Sequence, residues 1–564
     1  MGIVKQWPLM RTSHPTRPLP TDMVLELARM AGHQVADKDV AGRIAAGAAA
    51  ACAAVTGFAA RGLNGTEPAD FLAAQEDLAP AADARTEPPS PPPLLQPGAV
   101  TDLTALSLTE AATAVVSGRC TSVTLTEAYL ARAHIEQDRL NCFLTLDSDR
   151  AMAAAQQADE ALRRGLTPGL LHGVPLAHKA MFDVAGDVSL RGARIHVAAA
   201  TSDATVIARL RDAGAISLGQ LNMAEFAFGP TGYNKHYQRT RNAVNPDYMA
   251  GGSSSGSGAA TAARACAASL GSDTGGSVRI PAAANGVVGL KATYGLIPRR
   301  GVMKLSPSLD FVGPITRTVR DCARLLGVIA GYDAPDAGSS PRPVPDYELL
   351  LARGARGLRV ARVRNYFFDH VTPDVVAACE RSLTALEKAG ARVLEVDVPE
   401  PEPLAELSRA VLYAEATALH GEWLRTAADR YSPQVRVRAL TGLAIPASTY
   451  YEALCLRGLL LREFVSQAFR DCDVLLMPTL VIPVPRFADV DVGTGPALWD
   501  TLARLVQNTA PFNYLGLPAL SVPAGCTANG LPASVQLVGR PFDEATLLRA
   551  ADAICDRSRT GSQS

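Results

Sequence analysis

The chain has 564 residues, 48% of them hydrophobic and 19% charged, with a formal net charge of −1. Against a usual domain of roughly 150 residues, that length fits more than one domain and a large buried core. A balance this close to neutral carries no basic surplus for nucleic acid and no polybasic run for a membrane surface, so neither partner is expected.

Residues 1–20, "MGIVKQWPLMRTSHPTRPLP", lack the apolar core of a signal sequence and are expected to form a tail. A helical segment is predicted over 21–79. "TDMVLELARMAGHQV" opens with a Thr or Asp cap before Met23, Val24, Leu25 and Leu27, and an alanine-rich helix follows from Asp39. The uncharged run between Arg43 and Arg61 is the most span-like stretch near the front, but alanine and glycine dominate it. It reads as a packed helix. "EPPSPPPLLQPG" breaks regular structure, and residues 80–100 are expected to be an extended connector, with a PxxP ligand as the alternative.

Residues 101–564 alternate between strand and helix patterns. "HGVPLAH" reads as a buried strand; "DATVIARLRDAGAISLGQLN" as a helix, a stop at Gly214 and a strand; "GLRVARVRNYFF", "PDVVAACERSLTALEKAGA" and "RVLEVDV" as strand, helix, strand. An α/β domain with a mixed or parallel sheet covered by helices is expected. The ten cysteines include no Cys-x-x-Cys pair, which argues against zinc ribbons and thioredoxin-like sites and for a reducing, cytoplasmic location.

The stretch 249–283, "MAGGSSSGSGAATAARACAASLGSDTGGSVRIPAA", holds seven serines and no histidine. A phosphate loop would need Gly-Lys-Ser/Thr, and no lysine occurs between Lys235 and Lys291; Thr261 spoils the dinucleotide spacing. Gly252 to Gly256 formally matches the nucleophile elbow G-x-S-x-G, but the downstream histidines, His370 and His420, lie in no catalytic context. The third reading uses Lys179, which closes an apolar strand. Desolvation there would make a neutral amine available to take a serine proton, unless Lys179 merely extends its amine to solvent at the strand end.

"GVPLAHKAMFDVAG", "AGGSSSGSGAA" and "GSDTGGSVRIPAAANGVVGLKATYGLIPRRG" resemble the signature blocks of the amidase signature family. Supporting blocks follow the same order, "LGQLNMAEFAFG", "DFVGPITRTVRDCA", "FNYLGLPALSVPAG" and "GLPASVQLVGRPFDEATLLRAA", so the resemblance spans roughly 101–556. It implies the amidase signature fold, with helices on both faces of a mixed sheet, and metal-free, cofactor-free cleavage of amide C–N bonds. The nucleophile would be Ser277, the bridging serine Ser253 behind a non-proline cis peptide, and the base Lys179. Backbone N–H groups of Thr274, Gly275, Gly276 and Ser277 would form the oxyanion hole.

Ser254, Ser255 and Ser257 are expected to support the triad, and Asp273 and Arg279 to pair and hold the nucleophile's loop. His178, facing away from Lys179 on a strand, is expected to be structural. The family commonly has Asp where this chain has Ala180. Pocket walls are expected from Phe228, Tyr233 and Gly252, with Phe226 and Tyr237 nearby. The helical front resembles amino-terminal extensions of some bacterial amidases, and more loosely a small helical subunit that accompanies certain family members. It is expected to pack on the amidase domain or form a dimer contact. The leading expectation is a homodimeric amidase acting on a small-molecule amide, with no nucleic acid or membrane. The alternatives are the glutaminase-like subunit of a tRNA-dependent amidotransferase and a urea- or carbamate-type C–N hydrolase.

Overall fold

The computed structural model describes residues 18–35, 37–59, 63, 66–80, 102–399 and 401–558. The expected tail and connector lie outside the described residues, apart from residues 18–20 and 80. At the front, α1 (Thr21–Met30), α2 (Lys38–Ala59) and α3 (Asp70–Leu78) form the predicted helices. Thr21 is itself helical and the N-cap residue is Pro20, so the expected side-chain cap is replaced by an uncapped start.

Along α2, Ala41, Ile44, Ala45, Ala48, Ala51 and Val55 are buried, the spacing of one helical face. That face packs against the long helices Pro401–Thr426 and Ala447–Ala468 of the main body. Among the described residues α2 alone has the length and composition to cross a membrane, yet its apolar stripe is spent on protein. In α3, Phe71 lies edge-on to Tyr294 at 5.6 Å, under the Arg457 guanidinium at 3.6 Å. Glu76 forms an ion pair with Arg342 at 2.5 Å.

The described main body is built on one sheet. Its strands are β1 (Phe143–Leu146), β2 (Pro175–Lys179), β3 (Ile216–Leu221), β4 (Ala268–Asp273), β5 (Val288–Lys291), β6 (Phe311–Thr316), β7 (Arg359–Val363), β8 (Arg392–Val396), β9 (Val474–Pro478), β10 (Ala519–Cys526) and β11 (Pro532–Val538). Their order is β1-β3-β2-β4-β6-β5-β10-β11-β9-β7-β8. The β3-β2-β4 and β8-β7-β9 groups are parallel and the other pairings antiparallel, so the sheet is mixed.

All five residues of β2 are buried, as a strand with a neighbour on each side and helices on the faces requires. Because β2 and β4 run parallel, with Ala177 opposite Ser269, their carboxyl ends reach the same edge. That brings Lys179 beside the end of β4, almost a hundred residues later in the chain.

Candidate active site

Lys179 ends β2 and is fully buried. Its Nζ donates to Ser253 Oγ at 2.7 Å and to Ser272 Oγ at 2.8 Å. Burial pushes its pKa down to about 7, although the Asp273 and Asp310 carboxylates pull the other way. An amine so placed is free to accept a proton near neutrality.

The Ser253 loop is shaped by close backbone approach. The Gly252–Ser253 peptide bond is cis, and Gly251 has φ +73°. A Cβ on Gly252 would sit 2.5 Å from Gly229 O, so no larger residue fits without moving backbone. Ser254 Oγ donates to Ser272 O and accepts from Ser272 N–H, both at 3.2 Å. Ser255 bonds Thr240 Oγ1 at 3.1 Å and Ser257 bonds Leu270 O at 3.0 Å. These three hydroxyls fasten the loop and the following helix, Ser255–Ala262, to β4 and its surroundings.

The Ser277 loop is organised by Asp273 and Arg279, both fully buried. Asp273 accepts from Arg279 Nη2 at 2.9 Å and Nε at 3.0 Å, and from the N–H groups of Gly276 at 2.8 Å and Val278 at 3.1 Å. Burial alone would raise the Asp273 carboxyl, but Arg279 and Asn513 beside it together hold it well below the usual range. Arg279 also reaches Asn513 Oδ1 and Gln536 Oε1, each at 2.7 Å, so residues near the chain's end brace this loop. The Ser254 N–H donates to Ser277 O at 3.3 Å and ties the two serine loops together.

One expected oxyanion donor differs. The Gly276 N–H points at Asp273 and is already used. Among the described residues no protein acceptor engages the N–H groups of Thr274, Gly275 and Ser277.

Ser277, Thr274 and Gly275 open onto a cavity of about 370 Å³. Phe228 lines it, with the Arg438 guanidinium 4.0 Å from its ring centre. Tyr233 and Gly252 do not line it: Tyr233 packs against the cluster around Met249, and Gly252 is covered by Gly229 and Gly232. Phe226 belongs to a core stack with His420, Trp423 and Tyr431, and Tyr237 bonds Ala193 O at 3.3 Å. His178 lies edge-on to Phe182 at 6.2 Å, and burial lowers its pKa to about 4. Ala180 is buried, its N–H bonded to Leu221 O at 3.1 Å. All ten cysteines are free thiols.

Sequence reasoning missed five contributors. Ser272 is the second acceptor of Lys179, a role readable only once β2 and β4 are known to be parallel neighbours. Arg438 and the α2 residues Ala46, Gly47 and Ala50 enter the cavity from distant segments and carry no local signal.

A profile for the family described as amidase matches residues 124–548. The chain belongs to the amidase family. Within that family, a protein from Roseiflexus sp. (strain RS-1) is 40% identical over 79% of this chain and 95% of its own length. One from Myxococcus xanthus (strain DK1622) is 39% identical over 80% and 97%. Both are named as the A subunit of glutamyl-tRNA(Gln) amidotransferase. Among solved structures, a chain of a vestigial protein complex tied to the origins of an s-triazine catabolic enzyme matches with TM-score 0.76 and 32% identity, covering 80% of this chain and 98% of that one. Native peptide amidase from Stenotrophomonas maltophilia matches with TM-score 0.69 and 28% identity, covering 80% and 97%.

This amidase-family chain is therefore an enzyme of carbon–nitrogen bond hydrolysis, built on the expected mixed sheet. The partner expectation needs correction. A homodimer whose sole partner is a small-molecule amide, with no nucleic acid, does not agree with relatives named as one subunit of an enzyme acting on glutamyl-tRNA(Gln). Net charge misled because it describes one chain, whereas the relatives are named as one subunit of a larger enzyme.

Proposed function

We propose that this chain is the amide-cleaving, glutaminase-like subunit of a tRNA-dependent amidotransferase, working through an acyl-enzyme on Ser277. The observation that carries the chemistry is the 2.7 Å hydrogen bond between the buried Lys179 amine and Ser253. Ser277 Oγ attacks the amide carbon while its proton passes through Ser253 Oγ to neutral Lys179. The N–H groups of Thr274, Gly275 and Ser277 receive the oxyanion, each such donor contributing about 2.7–4 kcal/mol to the transition state. As the C–N bond breaks, Lys179 returns the proton by the same path and ammonia leaves. Water then cleaves the ester and frees Ser277.

The cavity supports an amino-acid amide as donor. Arg438 leaves its Nε without a partner and Glu406 its Oε2, and both residues line the cavity. A guanidinium and a carboxylate lining one cavity, the carboxylate steadied by Arg409 at 2.6 Å, suit the two charges of a zwitterion. The released ammonia is then taken up by glutamyl-tRNA(Gln), the substrate in the relatives' names, and on this reading the chain works in the cytoplasm with charged tRNA.

The test is ammonia release from glutamine by the purified chain, followed by assay with glutamyl-tRNA(Gln) and the remaining subunits of a relative's amidotransferase. Ammonia formation lost in Ser277→Ala, together with amide appearing on the tRNA, is the expected result. Ammonia release that never amidates the tRNA would overturn the transferase assignment and leave a hydrolase.

A further inference from the structure

Helix α2 lies ahead of the matched stretch 124–548, yet it forms part of the reaction cavity. Ala46, Gly47 and Ala50 occupy one face of the helix and line the same cavity as Ser277. None of the three carries more than a methyl group. Across from them, Trp499 lies on the helix Leu498–Val506, which also lends Leu502, Ala503 and Val506 to the cavity.

Gly47 and Trp499 are fitted to each other. A Cβ on Gly47 would lie 2.5 Å from Trp499 Cζ2. The indole Nε1 donates to Arg43 O at 3.1 Å, which fixes the ring against α2. Tyr413 meets the indole edge-on at 5.7 Å and lines the cavity too. Arg438 lines the same cavity, 5% exposed, its guanidinium 4.0 Å from the Phe228 ring centre and donating through Nη1 to Phe228 O at 2.6 Å.

We infer that α2 is a substrate-selecting wall supplied by the amino-terminal segment, with Ala46, Gly47 and Ala50 setting the width available to the acyl group on Ser277. The inference rests on Ser277 being the nucleophile. Larger side chains on this face narrow the cavity without touching Lys179, Ser253 or Ser277, so they discriminate by size and leave the chemistry intact.

Two sulfonyl fluorides of different bulk, methanesulfonyl fluoride and phenylmethanesulfonyl fluoride, read the width directly. Ser277 Oγ forms a bond to sulfur, the S–F bond breaks, fluoride leaves and the serine proton passes to Lys179. The labelling rates are measured on the full chain, wild type and Ala50→Leu, with Ala46→Leu as a second variant should the first not fold. The ratio of the two rates is independent of the fraction of protein that is folded. Labelling by the phenyl reagent is expected to fall about tenfold relative to the methyl reagent, the range one misplaced methylene-sized group commands in a pocket. An unchanged ratio in both variants, with the wild type labelled by both reagents, overturns the wall alone. A wild type labelled by neither overturns the Ser277 assignment beneath it.

Discussion

Lys179 Nζ stands 2.7 Å from Ser253 Oγ, and its other hydrogen bond goes to a second hydroxyl, Ser272, at 2.8 Å. A lysine held by hydroxyls inside a sheet has lost water without gaining a contacting carboxylate, so its charged form is disfavoured and its neutral form becomes a usable base.

The rate should therefore follow deprotonation of this amine. With Lys179 pushed down to about 7 by burial, kcat/KM is expected to rise about tenfold per pH unit below that value and level off above it. A profile flat through neutrality would remove Lys179 from the proton path. Stability follows the same titration. An unfolded lysine titrates near 10.4, so between about 7 and 10.4 the unfolded chain holds a proton that the folded chain has lost, and stability rises with pH across that window. The unfolding free energy of wild type should gain on that of Lys179→Met as pH rises there, measured by urea titration.

Replacing either serine of the proposed relay should be severe. Ser277→Ala and Ser253→Ala are each expected to lower kcat by about 10⁴-fold, the scale seen when a catalytic triad loses a member. His178→Gln is the control. Burial lowers that imidazole to about 4 and its ring faces Phe182, so the rise near neutrality should stay where it is.

The Asp273–Arg279 pair holds the Ser277 loop. Arg279→Ala leaves a buried carboxylate without its partner, which typically costs about 3–5 kcal/mol of stability. The urea midpoint should fall, and Ser277 labelling should slow because the Gly276 N–H and the Ser277 loop hang on Asp273. A stable variant with an undiminished labelling rate would show that the pair does not position the loop.

Arg438 tests the donor assignment. It lines the cavity but is not among the groups that carry the proton, so Arg438→Met should raise KM for glutamine about tenfold or more with kcat changed far less. Equal losses in both parameters would point to a collapsed loop in place of a lost substrate contact.

Lys179, Ser253 and Ser277 were singled out by the resemblance of their blocks to the amidase signature family. Residue types alone left phosphate-loop, elbow and lysine readings of the serine stretch open, and the structure places Lys179 beside Ser253 at 2.7 Å. The Asp273–Arg279 pairing was expected because the two residues flank Ser277, and the structure pairs them at 2.9 Å across the loop between β4 and the helix Arg279–Asn285. The pocket was not legible. Of the three wall residues expected near the serine loop, only Phe228 faces the cavity, because consecutive aromatic positions on an irregular loop have no period that says which side faces in. Gly276 likewise looked like an oxyanion donor until Asp273 was seen to accept its N–H.

By itself the sequence determined the family, through blocks that resemble its signature in order along the chain, and with that resemblance the candidate nucleophile and base. Local periodicity determined the strand–helix alternation that builds a mixed sheet. Only the tertiary structure decided that Ser272 shares Lys179 with Ser253, a consequence of β2 and β4 lying side by side in parallel. Only it decided that α2 walls the cavity, because Gly47 and Trp499 are more than four hundred residues apart. Local patterns report which face of a helix is apolar; what that face meets is settled by packing, where Trp499 fits against a glycine of α2 that leaves room for its ring.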